Sequence, residues 1–279
     1  MTHLPNIAII ELGSQYTLLI ERTLRELGVR SVILDPQRAA SWLKENPIKA
    51  VILSGGSSSV YDNDAPHPPA EILSLRQKDN QPIALLGICY GMQWLAYCLG
   101  GEVKAMPGNR EYGEASITLH GASKDFFSGT PKRQKVWMSH GDSVTTLPEG
   151  FSNVALSDTN TIAAMQNGLM WGVQFHPEVT HTPYGKTMLT NFLQSAGCEN
   201  DWEPSSVIQL IQEDTTSKLG DRRVIFGFSG GVDSTTVSTI LSPVLQDKLL
   251  AVTIDGGHLR EGELDEIRKH ADAAGVILR

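Results

Sequence analysis

The chain has 279 residues, 41% hydrophobic and 19% charged, a composition that suits one large globular domain or two ordinary ones and excludes a disordered or fibrous chain. Its net charge of −8, with no long run of Lys or Arg, argues against a nucleic-acid backbone as the main partner, although backbone amides can still bind small anions. Three cysteines (Cys89, Cys98, Cys198) with no C-x-x-C pair describe neither a disulfide framework nor a zinc site. No apolar run reaches the roughly 20 residues of a membrane span, and Met-Thr-His-Leu-Pro-Asn is not a signal peptide, so no membrane partner and a reducing cytoplasm are expected.

In chain order, Ile7 to Ile10 is a short apolar run ending in Gly13-Ser14-Gln15. Tyr16 to Leu27 then carries Ile20, Leu24 and Leu27 at helical spacing and stops at Gly28. Val32 to Leu34, Ala50 to Leu53 and Ile83 to Ile88 are further apolar runs bounded by Gly, Pro or Asn. Continuous runs of this length, separated by helical segments, predict buried parallel strands in an α/β fold. From about Gly113 the texture changes. Ala115 to Leu119, Lys135 to Met138, Val154 to Leu156, Ile162 to Met165 and Met170 to Phe175 follow closely, as an added set of mostly antiparallel strands. Tyr184 to Ala196 reads as a closing helix.

A polar stretch from Cys198 to Pro204 marks a domain boundary, placed at residue 198. An amphipathic helix over about Ser205 to Lys218 leads into a new α/β pattern: strand Val224 to Phe228, helix Val232 to Leu241, strand Leu249 to Ile254 and helix Glu261 to Ala274. Another strand starts at Val276. Two strands and part of a third cannot bury a doubly wound sheet. The second domain, 199–279, is therefore expected to be incomplete here or completed by another chain.

Gly87-Ile88-Cys89-Tyr90-Gly91 follows an apolar strand and opens a helix that ends at Gly100-Gly101. This is the strand–turn–helix context of a nucleophile elbow, with Cys in place of Ser. The glycines keep side chains away from a sharp turn. The helix N-terminus places positive dipole and free N–H groups beside the sulfur, which favours thiolate over thiol. The N–H of Tyr90 is a natural oxyanion donor. A free cysteine is more often buried and inert, and the G-x-C-x-G setting is what separates Cys89 from Cys98.

His176-Pro177-Glu178 lies at the end of the Met170 to Phe175 run. Residues two apart in an extended chain face one side, so His176 and Glu178 can share a pocket with Cys89. A thiol needs a base within reach, and the base needs a third group to hold its tautomer. Cys89 as nucleophile, His176 as base and Glu178 as its orienter meet that need. His140 and His181 compete for the base role.

Gly87-Ile-Cys-Tyr-Gly-Met-Gln together with His176-Pro-Glu resembles the class I, triad-type glutamine amidotransferases, and within them the GMP synthetase branch. Gly13-Ser-Gln-Tyr-Thr, Leu53-Ser-Gly-Gly-Ser, Arg110-Glu-Tyr-Gly, Trp137-Met-Ser-His-Gly-Asp and His176-Pro-Glu-Val-Thr-His-Thr match in the family's order. The resemblance implies a mostly parallel open sheet with helices on both faces, flavodoxin-like, plus the antiparallel addition. It gives Gly56 an oxyanion-hole N–H beside that of Tyr90. Gln93 would hold glutamine, and Ser139, His140, Gly141 and Asp142 would line its pocket. Two aimed N–H donors lower such a barrier by a few kcal/mol. Ser57 departs from the family's usual proline without removing the backbone donors.

A second motif, Ser229-Gly230-Gly231-Val232-Asp233-Ser234, follows a strand and opens a helix. Backbone N–H groups can converge there on an anion. It lacks the Gly-Lys-[Ser/Thr] of a Walker A loop. It resembles the pyrophosphate loop of the N-type ATP pyrophosphatases, with an adenine-nucleotide α-hydrolase-like domain. That implies ATP held by these six residues, with Asp233 near Mg²⁺. Gly256 and His258 depart from the family's next segment. The resemblance further implies glutamine as substrate, ATP and xanthosine monophosphate in the complete enzyme, a homodimer at full length, and no cofactor for the glutaminase half. An amidotransferase serving another acceptor, or a regulatory protein that binds glutamine or nucleotide without turnover, are the alternatives.

Overall fold

The computed structural model describes residues 5–77, 80–106, 110–120, 125–198, 200 and 202–279. It divides into two compact units, Met1–Trp202 and Glu203–Arg279. The division falls inside the polar stretch beginning at Cys198, a little past the expected residue. Trp202 is tied back to the first unit: its N–H donates to Gly28 O at 2.9 Å, and the Arg25 guanidinium lies 4.9 Å from its ring centroid.

The first unit is built on β1 (Ile7–Ile10), β2 (Ser31–Leu34), β3 (Ala50–Leu53), β4 (Ala84–Ile88), β5 (Glu102–Ala105), β6 (Glu111–Leu119), β7 (Arg133–His140), β8 (Asp142–Thr146), β9 (Ser152–Ser157), β10 (Ile162–Asn167) and β11 (Met170–Val173). Nine of these make one sheet in the order β2-β1-β3-β4-β11-β10-β9-β6-β7. The strands from β2 to β11 are parallel, and β11 onward pair antiparallel, so the predicted change of texture is a change of strand direction within one sheet. β5 and β8 pair separately. They are short and polar, and the sequence reading did not anticipate them.

Alternate residues of the parallel strands face opposite cores, which is why they read as unbroken apolar runs. Ile7, Ile9, Ile52 and Leu86 pack with α1 (Thr17–Glu26) and α4 (Gly185–Ser195) through Ile20, Leu24, Met188 and Phe192. Ala8, Ile10, Val51 and Leu85 pack with α2 (Pro36–Glu45) and α3 (Tyr90–Cys98) through Ala39, Leu43, Trp94 and Leu95. Each such fully buried Ile or Leu contributes about 1.5–3 kcal/mol. α2 is an element that periodicity did not reveal. Its start is local: Asp35 accepts from Gln37 N, and Pro36 sits where a missing N–H costs nothing.

The second unit has three parallel strands, β12 (Val224–Gly227), β13 (Leu249–Val252) and β14 (Ile277–Leu278), in that order, with α5 (Pro204–Leu219), α6 (Val232–Leu245) and α7 (Glu263–Ala273). Leu249, Ala251, Leu245, Ile267 and Ala271 form its core. The row Ile225–Leu250–Ile277 runs across the opposite face, and its outer members are 71% and 55% exposed. α5, expected to be amphipathic, leaves Ile208, Leu210 and Ile211 exposed.

Candidate active site

Cys89 joins β4 to α3 with φ +52° and ψ −107°, a conformation that L-residues rarely adopt and that costs on the order of 1–3 kcal/mol. Its N–H donates to Val173 O at 2.7 Å, which ties the elbow to β11. The neighbouring glycines are required by contact. A Cβ on Gly87 would lie 2.5 Å from Gly91 O, and one on Gly91 would lie 2.3 Å from Leu53 O. Gly56 is equally constrained, its Cβ position being 2.3 Å from Leu12 O. The N–H groups of Gly56 and Tyr90 have no hydrogen-bond partner among the described residues, and Gly56 lines the cleft over Cys89.

His176 follows β11, where the sheet closes on itself. Phe175 bridges Met138 of β7, the His176 N–H donates to Trp137 O at 3.0 Å, and the Thr182 hydroxyl donates to His176 O at 2.7 Å. The ring packs edge-on against Tyr16, with centroids 5.0 Å apart. Nδ1 lies 2.8 Å from Glu178 Oε1, and both side chains are buried. The chain turns at Pro177, so the pair is made by a turn and not by the extended spacing that suggested it. Glu178 Oε2 has no partner among the described residues, leaving the carboxylate's charge directed at the imidazole. Burial opposes a charge on His176, but hydrogen bonds to Cys89 and Glu178, with their charges, outweigh it and raise its pKa to about 10. The geometry places the imidazole, backed by Glu178, where it can exchange a proton with the Cys89 sulfur.

The other histidines are engaged elsewhere. His181 stacks on Trp137, with centroids 4.4 Å apart. His140 lies between Asp142 O at 3.0 Å and Glu111 Oε2 at 3.1 Å. Burial opposes ionisation of Glu111, but hydrogen bonds from His140, Thr159 and Ser157 hold its carboxyl below the usual value. Cys98 is half-buried against the core, and burial pushes its thiol up. None of the three cysteines forms a disulfide.

The cleft above Cys89 has a volume of about 590 Å³ and is walled by strand ends and loops: Gly13 to Tyr16 after β1, Gly56 to Ser59 after β3, Ser139 to Asp142 where β7 ends and β8 begins, and His176 after β11. This is where open α/β sheets bind ligands, at the carboxyl ends of parallel strands. Gln93, Ser139, His140, Gly141 and Asp142 all line it. Gln93 is partly committed, its Nε2 donating to Asp142 O at 2.8 Å. Two residues of this region were given no role from sequence. Glu111 opens β6 and anchors His140. Gln174, fully buried, reaches Cys89 Sγ with its Nε2 at 3.7 Å. A polar residue inside an apolar run was the signal for Gln174.

In the second unit, Phe228 to Gly231 connect β12 to α6, Val232 to Ser234 form its first turn, and Gly231 is the helix cap. The Ser229 and Ser234 hydroxyls meet at 3.2 Å, Gly231 N donates to Ser229 Oγ at 3.3 Å, and Val232 and Asp233 are exposed. Gly230 has φ +71°, and its carbonyl faces His270 Nδ1 at 2.9 Å.

Residues 8–196 match the family model described as glutamine amidotransferase class-I. The chain is 43% identical over 270 residues to a GMP synthase [glutamine-hydrolyzing] of Lactococcus lactis, covering 95% of this chain and 51% of that protein. It is 43% identical over 274 residues to the enzyme of the same name from Thermus thermophilus, covering 98% and 52%. The chain thus spans about half the length of the curated relatives it matches. Among solved structures, a Thermoplasma acidophilum protein described as a GMP synthase subunit superposes with a TM-score of 0.61 at 27% identity, over 76% of this chain and 100% of that one. A glutamine amidotransferase of Thermotoga maritima gives a TM-score of 0.54 at 24% identity, over 70% and 98%, and shares the fold. The chain belongs to the class-I glutamine amidotransferase family.

Proposed function

We propose that the first unit hydrolyses glutamine to glutamate and ammonia. The observation that carries this is Cys89 on a strained elbow with the buried His176–Glu178 couple against its sulfur. The thiolate attacks the side-chain amide carbon. The N–H groups of Gly56 and Tyr90 receive the oxyanion. His176 gives its proton to the nitrogen as the C–N bond breaks and ammonia leaves. Water then attacks the γ-glutamyl thioester, His176 takes a proton back, and glutamate departs with the thiolate restored.

We further infer that the ammonia serves GMP synthesis, as the names of the relatives suggest; ATP-dependent amination of xanthosine monophosphate in a cytoplasmic homodimer is what the sequence resemblance implies for the complete enzyme. Backbone N–H groups from Ser229 to Ser234, at the start of α6, suit a pyrophosphate. Among the described residues no cluster of three or more His, Cys, Asp or Glu could hold a metal. A Mg²⁺ near Asp233 would therefore take its other ligands from phosphate and water, which is its usual habit. The second unit buries one face of three strands, so the chain alone is expected to make no GMP.

Ammonia release from glutamine by this chain and by Cys89→Ala, with and without ATP and xanthosine monophosphate, tests the reading. Cysteine-dependent release supports it. Release that survives in Cys89→Ala, or none in either chain together with a Cys89 inert to a glutamine-analogue alkylator, overturns it. GMP formed by this chain alone would refute the need for a missing part.

A further inference from the structure

Gln174 is a buried polar side chain that the triad leaves unused. It lies one residue past β11, is 0% exposed, and has its amide against Cys89. Which end of that amide faces the sulfur decides what it does, and its neighbours settle the question. Asp142 O is a backbone carbonyl and can only accept. Gln93 must therefore present Nε2 to it, at 2.8 Å. The same Nε2 lies 3.3 Å from Gln174, where only an acceptor fits, so Gln174 turns Oε1 to Gln93 and its NH₂ to the sulfur. The Asp142 carbonyl is itself held: His140 Nδ1 stands 3.0 Å away, and His140 Nε2 meets Glu111 Oε2 at 3.1 Å. A chain of buried polar groups from Glu111 thus fixes the direction of one donor at the nucleophile.

A backbone neighbour of the sulfur has the opposite preference. Ser139 O, 3.6 Å from Sγ, accepts from a thiol and offers a thiolate nothing. A donor at the sulfur favours the charged form. The titratable group in contact with Cys89 is His176, backed by Glu178, and Gln174 adds a neutral donor that keeps its hydrogens at every pH.

We propose that Gln174 is a further catalytic residue of the hydrolysis, donating to Cys89 Sγ to hold the thiolate in line, with Gln93 and the Asp142 carbonyl as its positioning groups. Its consequence for turnover rests on the glutaminase reading. Its effect on thiol ionisation does not, and can be measured without glutamine.

The test is the pH dependence of iodoacetamide alkylation at Cys89, followed on its own peptide by mass spectrometry, in wild type, Gln174→Met and Gln174→Glu. Loss of the donor raises the apparent thiol pKa by about one unit in Gln174→Met, which is roughly tenfold less thiolate below that pKa. Gln174→Glu, of nearly the same shape, places oxygens at the sulfur and raises it further. In steady-state hydrolysis kcat falls about tenfold while KM for glutamine moves less than about threefold, the mark of an interaction made at the reacting sulfur. Melting temperature and near-UV circular dichroism select the variants that have folded, and either variant alone gives the readout. Alkylation profiles superimposable on wild type in a folded variant would overturn the proposal. Hydrolysis that persists in Cys89→Ala would overturn the glutaminase reading instead, leaving the alkylation result intact.

Discussion

Replacing Gly185 with alanine would put a Cβ 1.8 Å from the carbonyl oxygen of Pro177, the residue between His176 and Glu178. Ordinary contact begins at 3.4 Å, so α4 and the His-Pro-Glu turn must part by about 1.6 Å. Both sides are backbone, and neither can yield by rotating a side chain. The α4 side is pinned by Met188, Leu189 and Phe192 in the core, while the turn is held by the Thr182 and Trp137 hydrogen bonds. A displacement of this size at a catalytic base costs roughly 10²-fold in kcat, and the repacking costs about 1–3 kcal/mol of stability. Steady-state ammonia release at saturating glutamine reads the first, and urea unfolding reads the second. Gly197→Ala is the control. Its Cβ meets nothing within 4 Å, and at φ +66° it costs about 1 kcal/mol of backbone strain while leaving kcat unchanged. A Gly185→Ala enzyme with kcat within threefold of wild type and an unshifted unfolding midpoint would refute the idea that α4 sets the position of the base.

Glu178→Gln removes one of the two partners that hold the His176 proton, so the alkaline limb of hydrolysis moves down from about 10 toward 6.5, readable in a pH–rate profile. Because the folded pKa is raised, this proton's stabilisation is fully present below 6.5 and is lost between 6.5 and about 10. Unfolding free energy should fall with pH across that window in wild type and less steeply in Glu178→Gln. Equal slopes would show that the couple does not hold the proton. Glu111→Gln should cost about 1–3 kcal/mol at neutral pH in denaturant unfolding. The Glu111 pKa is depressed, so the gap to wild type is present above 4.5 and closes as pH falls through the folded value. Gly91→Ala drives a Cβ to 2.3 Å from Leu53 O and should slow Cys89 alkylation at least tenfold. An unchanged rate would mean that the elbow can relax without moving the sulfur.

The parallel strands and the elbow were legible because their causes are local. Apolar runs such as Ile7 to Ile10 and Ala50 to Leu53 are buried on both faces, and Gly87 and Gly91 lie where a Cβ meets backbone. Where the cause was tertiary, the sequence was silent or misleading. Gln174 read as one more position of a strand, because the atoms it bonds come from Cys89 and Gln93, about 80 residues away. His140 looked like a rival base because its partner Glu111 is 29 residues away, across the β6–β7 pairing. β5 and β8 escaped because each is short and half exposed and exists only through the other. In the row Ile225–Leu250–Ile277 the two outer members are exposed, a feature that no local sequence signal at Ile225 or Ile277 announces.

The cleft borrows its wall from segments as far apart as Gly13 and His176, one after each of several strands. Closing loops of that span is slow, and no shorter stretch contains a working set of groups. During synthesis Cys89 is made long before His176, which is the 87th residue joined after it. Until then the thiol has no imidazole beside it and the Cys89 N–H no partner on β11. A nascent or half-refolded chain thus lacks the assembled set of groups, and reactivity of Cys89 toward a glutamine analogue should report the last step of assembly, lagging behind the return of helical signal.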